Sequence, residues 1–361
     1  MNNDRIQEIL DLMEEARLDY FLISDPQSIA YCTGYYNDPH ERMFVFMISK
    51  HGNHTLFMND LFYLDHDLDV NIVWHKDGQD AIQTIVDEMH FPGRIGIDKN
   101  WASHFLLDLM KKLPDAKYIN ASPCVDLVRM KKDLQEQVLM IESSKINDAV
   151  MEEIIPFIQE GVTEKQLAKK LDELFFKHHS TCYGAIVAFG KNAADPHHEN
   201  DDTLLRKGDC VLIDMGCVYK GYCSDMTRTF FYEGILEEEI KVYEIVKKAN
   251  EAAEAMIKPG VKLSDIDKCA RKVISDEGYG KYFTHRLGHF IGRDVHEYGD
   301  VSSVNEMEVE EGMIFSIEPG IYLEGNFGVR VEDLVMVTKD GCQVLNSFTN
   351  CLLYTSDAAD E

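Results

Sequence analysis

The chain has 361 residues and a formal net charge of −28, from 36 Lys plus Arg against 64 Asp plus Glu. An acidic field of that size lacks the basic footprint that nucleic acid and anionic lipid surfaces require, and no apolar run approaches the ~20 residues that span a bilayer. The first residues, MNNDRIQEIL, place no basic segment ahead of an apolar core, so no secretory signal is visible and a cytoplasmic protein is expected.

The length suits two domains, one smaller than the other. Ile6, Ile9, Leu10 and Met13 recur at helical spacing across 4–17, and DYFLIS (19–24) follows as a buried strand. Strands are then expected at MFVFMIS (43–49), HTLFM (54–58) and RIGID (94–98), with helices near 79–89 and 102–112. This alternation predicts an α/β domain over 1–124. Its loop NDPHER (37–42) is ordinary turn chemistry. The alternative is a loop that reaches an active site, with His40 and Arg42 as its polar groups.

A long amphipathic helix follows RMKKD (129–133), and a second domain is expected over 125–353. An internal echo runs through it. A helix, a Gly-Val turn, a polar cap and a second helix occur around Gly161-Val162 and again around Gly260-Val261, 99 residues later. Each copy precedes strand-like sequence that carries acids, which predicts two related halves with a polar site between them. Residues 354–361 fit no continuation and are set aside as a disordered or non-native tail. The nine cysteines are scattered and never spaced as CxxC, so reduced thiols are expected, with Cys217 and Cys223 as packing residues.

The chemistry concentrates in PHHEN (196–200), LIDMG (212–216), SDMTRT (224–229), HRLGHFIGRDVHE (285–297), SIEPG (316–320) and GVRVED (328–333). Asp214, Asp225, Glu318 and Glu332, with His289, stand where a buried strand would carry apolar groups. Four carboxylates so placed must be neutralised, and two divalent cations would do it. Oxygen-rich donors with one imidazole suit Mn²⁺, Co²⁺, Fe²⁺ or Zn²⁺ better than a thiolate-seeking ion without ranking the four, and Mn²⁺ is the expected ion. His285 and His289 have the separation of a helical zinc motif, but Arg286, Gly288 and Gly292 argue against one.

These motifs resemble the binuclear metallopeptidases of the prolidase and methionine aminopeptidase group. Particularly similar are cytosolic Xaa-Pro dipeptidases of low-GC Gram-positive bacteria. The first domain, through SIAYCTGYY, is similar to the amino-terminal domain of prolidases, aminopeptidases P and creatinase. The resemblance implies an α/β N-terminal domain and an α+β catalytic domain of pita-bread fold with an internal pseudo-two-fold repeat. It further implies that Asp214 chelates one metal, that His289 and Glu318 hold the other, and that Asp225 and Glu332 bridge. Glu318 would accept the proton of the attacking water, while His197 and His296 would bind the substrate carbonyl and help protonate the leaving nitrogen. His285 is a pocket residue. Arg293 is the first candidate to anchor a terminal carboxylate and Arg330 the second. The expected activity is hydrolysis of Xaa-Pro dipeptides by a homodimer. The alternatives are an Xaa-Pro aminopeptidase acting on longer peptides and a binding module without hydrolysis.

Overall fold

The computed structural model describes residues 1–350 apart from Asp65 and Phe91, together with the backbone of Tyr354 and Thr355. The chain divides into two units, Met1–Arg129 and Met130–Glu361. In the first, α1 (Asn3–Glu15) is capped by the Asn2 side chain and leads to β1 (Tyr20–Ile23). Asp25 caps α2 (Pro26–Thr33), which stops at Gly34 in the left-handed region, φ 82°. Next come β2 (Val45–Ser49), β3 (Thr55–Asn59), β4 (Asn71–His75), α3 (Ala81–Glu88), β5 (Arg94–Ile97), α4 (Ser103–Lys112), β6 (Lys117–Asn120) and α5 (Ser122–Met130).

The strands form one mixed sheet in the order β4-β3-β2-β1-β5-β6. Alternate side chains serve opposite faces. Phe21, Ile23, Phe46 and Ile48 join Ile6, Ile9 and Met13 of α1, whereas Tyr20, Leu22, Val45 and Met47 join Ile82 and Ile85 of α3. The unit ends later than the expected 124/125, because α5 runs through that point and packs Cys124, Val125 and Val128 into the first of these cores. Strands β4 and β6 are additions to the sequence reading. In the loop 37–42, Arg42 makes two hydrogen bonds to Asp77, each 2.9 Å, so its guanidinium is already paired.

The second unit opens with α6 (Leu134–Ile154), which starts at the capping box of Asp133 and Glu136. It continues through α7 (Glu164–Lys177), β7 (Thr181–Cys182), β8 (Ile186–Phe189), β9 (Cys210–Met215), β10 (Cys217–Tyr219), β11 (Tyr222–Cys223) and β12 (Met226–Tyr232). The second half contains α8 (Glu237–Glu254), α9 (Leu263–Asp276), β13 (Gly288–His289), β14 (Asp300–Val301), β15 (Ile314–Ile317), β16 (Gly320–Leu323), β17 (Phe327–Arg330), β18 (Asp333–Val337) and β19 (Cys342–Val344).

The echo is structural. Gly161 and Gly260 both have positive φ, 83° and 85°. Gly161 N–H donates to Leu205 O and Gly260 N–H to Val309 O, each 2.9 Å, while Leu205 and Val309 donate back to Val162 and Val261. Helices α6 and α7 pack together, as do α8 and α9. Asn147 on α6 donates to the carbonyl of Met215, and Asn250 on α8 donates to that of Ile317, each at 3.0 Å. These carbonyls belong to the residues next to Asp214 and Glu318.

Arg228, 2% exposed, ties both halves to the C-terminal segment. It donates to the carbonyls of Thr227, Glu332 and Phe348 and to the Asp333 carboxylate. Asn350 donates to the other Asp333 oxygen. Of the expected tail, Tyr354–Thr355 forms a short strand parallel to β12, and the rest lies outside the described residues. The cysteines other than Cys351, which also lies outside them, carry no disulfide. No helix among the described residues is long and apolar enough to cross a membrane.

Candidate active site

The acids arrive at one place by paired routes. Asp214 is on β9, opposite Thr227 of β12, and Asp225 sits in the turn that leads into β12. Glu318 follows β15, and Glu332 lies in the turn between β17 and β18. His289 comes from β13. All five line a cavity of about 560 Å³, together with His197, His285, His296, Arg286 and Arg330.

Asp225, His289 and Glu332 each offer a ligand atom within 4.8 Å of the others, and all three are buried. His289 Nε2 stands 3.5 Å from Asp225 Oδ2 and 3.6 Å from Glu318 Oε1. Its Nδ1 is 3.2 Å from Phe290 O, to which it donates. That bond fixes the tautomer and leaves the Nε2 lone pair facing the acids, an arrangement typical of a metal-bound imidazole. Thr227 donates to Glu332 Oε2 at 2.6 Å and accepts from Arg330 Nε. Asp214 Oδ2 accepts from Arg330 Nη2 at 2.5 Å, and Ser316 Oγ donates to Glu318 Oε1 at 3.2 Å.

The electrostatics are those of an over-supplied negative site. Burial, reinforced by Asp225, Glu318 and Asp214, pushes Glu332 well above the carboxylate range. Burial also lifts Glu318 to about 7, against the pull of His289 and Arg330, and raises Asp214. Burial works against protonating His289, yet Asp225 and Glu318 hold it above its ordinary value. A hard divalent cation removes this conflict, so the donor set fits one.

The flanking histidines are pulled the other way. Burial, with nearby Arg330, takes His285 down to about 4, and burial with His289 and Arg286 does the same to His296. His285 Nδ1 donates to Arg286 O, so its Nε2 accepts the Tyr322 hydroxyl proton at 2.8 Å. Tyr322 Oη in turn accepts from Arg330 Nη1 at 3.0 Å. The turn that carries His296 is held by the next residue. Glu297 accepts from Arg293 N and forms a buried ion pair with Lys132 at 3.0 Å.

One sequence candidate is displaced. Arg293 does not line the cavity, because its guanidinium lies 5.4 Å over the Tyr222 ring and 3.3 Å from the Cβ position of Gly221. Among the lining or supporting residues that the sequence does not single out are Tyr183, Arg286, Tyr322 and Thr227. Thr227 alone had a readable signal, since it follows Asp225 at strand period two. His285 and His289 are not on a helix, as expected from the intervening glycine.

Residues 138–339 match the model of metallopeptidase family M24, and residues 5–131 match that of the creatinase/prolidase N-terminal domain. A Staphylococcus aureus relative, described as an uncharacterised peptidase, is 34% identical over 353 residues, covering 95% of this chain and 99% of its own length. A dipeptidase from Pyrococcus horikoshii superposes with a TM-score of 0.91 at 35% identity, covering 97% of this chain and 99% of that one. A prolidase from Thermococcus sibiricus gives 0.92 at 32% identity, with 98% and 99% covered.

Proposed function

Because the chain belongs to metallopeptidase family M24, we propose that it hydrolyses Xaa-Pro dipeptides with two divalent cations held by Asp214, Asp225, His289, Glu318 and Glu332. The observation that carries this reading is the convergence of Asp225, His289 and Glu332 within 4.8 Å, in a cavity that Asp214 and Glu318 also line. The likeness to a dipeptidase and a prolidase supports the substrate class. When bound, such cations acidify water and polarise a carbonyl.

The protein's own groups do the rest. Glu318 takes the proton of the attacking water, with Ser316 steadying one of its oxygens. His296, neutral at pH 7, would offer a hydrogen bond to the carbonyl oxygen, and as the C–N bond breaks the proton taken up by Glu318 would pass to the leaving nitrogen with the help of His197. Activating the carbonyl requires no N–H on the following residue, which is why an imide bond to proline is acceptable.

The substrate's terminal carboxylate needs a cation. Arg330 is held by Asp214 and Tyr322, whereas the Arg286 side chain lines the cavity with no hydrogen bond or ion pair among the described residues. Arg286 is therefore the proposed anchor, in place of Arg293, with Arg330 and His285 ordering the wall behind it. Arg286→Ala should raise KM for Leu-Pro by about tenfold or more while kcat changes far less; an unchanged KM removes this role.

Mn²⁺ is the proposed ion, with Co²⁺ or Zn²⁺ as alternatives, in a cytoplasmic homodimer. Assay of the purified protein on Leu-Pro and Leu-Pro-Pro tests the whole reading. Leu-Pro should be cleaved, turnover should vanish on chelation and return with Mn²⁺, and the tripeptide should be poor. Preference for the tripeptide would make it an aminopeptidase, and inertness toward both would refute the proposal.

A further inference from the structure

We propose that Glu164, on the first turn of α7, is a positioning residue that sets the place of His197. This rests on the reading that His197 acts on the substrate. Glu164 is fully buried, yet its carboxylate is completely solvated by protein. Oε1 accepts from Phe189 N and Asn192 Nδ2, each at 2.9 Å. Oε2 accepts from His198 Nε2 at 2.7 Å and from Asp201 N at 2.9 Å. Two of these donors precede His197 and two follow it. One side chain thus closes both ends of the segment that delivers the imidazole.

The His197 side chain makes no hydrogen bond of its own among the described residues, and its backbone N–H goes to Asp195 Oδ1. Its position is therefore inherited from the main chain. Another tie on that segment is the bond from Arg330 Nη1 to Pro196 O, which is long at 3.4 Å. Glu164, His198 and Asp201 lie close enough together to suggest a further cation site. That reading is weaker, because each Glu164 oxygen already accepts two hydrogen bonds and the His198 Nε2 proton is engaged. Four donors and a helix N-terminus stabilise an ionised carboxylate without a cation.

The decisive experiment is a double-mutant cycle on Leu-Pro. Glu164→Gln turns an amide N–H₂ toward two of the four donors. Its kcat should fall about 10- to 100-fold, as expected for a misplaced group. KM should stay within about threefold, and the cation content per chain should be unchanged. In the His197→Ala background the same substitution should have no further effect on kcat. His198→Ala should show a smaller loss that His198→Gln restores, and it carries the test if Glu164→Gln does not fold. Wild-type kcat in both Glu164→Gln and His198→Ala, losses that multiply with His197→Ala, or a loss that tracks falling cation content would each overturn the inference. If His197→Ala itself were as fast as wild type, the role given to His197 would fail, and this inference with it.

Discussion

Glu254 ends α8 with Oε1 buried and unpartnered, and burial together with the charge of Asp333 pushes its carboxyl up to about 8. The folded state therefore holds a proton that the unfolded chain releases near 4.5. Stability is fully present below that value and is lost as pH rises through about 8. Glu254→Gln should match the wild-type Tm at about pH 4 and exceed it at about pH 9, checked by thermal denaturation; equal Tm values at the higher pH would contradict this. At this scale the sequence was informative where chemistry conflicted with burial. Asp214, Asp225, His289, Glu318 and Glu332 stood out because carboxylates in apolar strands demand an explanation. Tyr322 and Glu164 did not, because their roles arise from contacts with other segments of the chain, and Arg286 did not, because only the fold places it on the cavity wall. Arg293 lies between two key histidines, which makes it a substrate candidate by sequence, but the turn held by Glu297 and Lys132 places its guanidinium over Tyr222.

Among the elements, the crossing of β13 and β15 leaves no room for a side chain at Gly288. A Cβ there would stand 1.9 Å from Ser316 O, which is main chain and cannot swing aside. Ser316 Oγ also accepts from His289 N and donates to Glu318, so displacement would move two of the proposed metal ligands at once. Gly288→Ala should cost about 1–3 kcal/mol or more in overpacking and lower bound cation per chain, measured by denaturant unfolding and metal analysis. Normal cation content in a folded variant would show that the crossing tolerates expansion. Hydrophobic period located α1, β1, β2, β3, α3, β5 and α4 within a few residues. It missed β4 and β6, whose side chains are largely exposed or half-buried and which exist because a neighbouring strand pairs with them. It also could not show that the echoed helices use Asn147 and Asn250 to hold the carbonyls beside Asp214 and Glu318.

For the molecule as a whole, two halves of one repeat each contribute two carboxylates to a shared cavity, so the cations proposed there would join the halves. A site filled at a hundred times its Kd adds about 2.7 kcal/mol, which is roughly 5–10 °C in Tm for a unit of this size. Chelation should lower Tm by that order and Mn²⁺ should restore it; a Tm indifferent to chelation would mean the halves need no cation to stay together. The repeat was legible because Gly161 and Gly260 mark the same turn twice, whereas the link through Arg228 could not be seen until the fold brought positions 228, 333 and 348 together. That link exposes the site to erosion from one direction. An exopeptidase trimming inward past Asn350 would first strip a donor from Asp333 and then an acceptor from Arg228. The Arg228–Asp333 ion pair would stay joined but lack two of its hydrogen bonds in a buried place, and the disturbance would reach Glu332, whose carbonyl the same guanidinium holds, before digestion reached any carboxylate of the cavity.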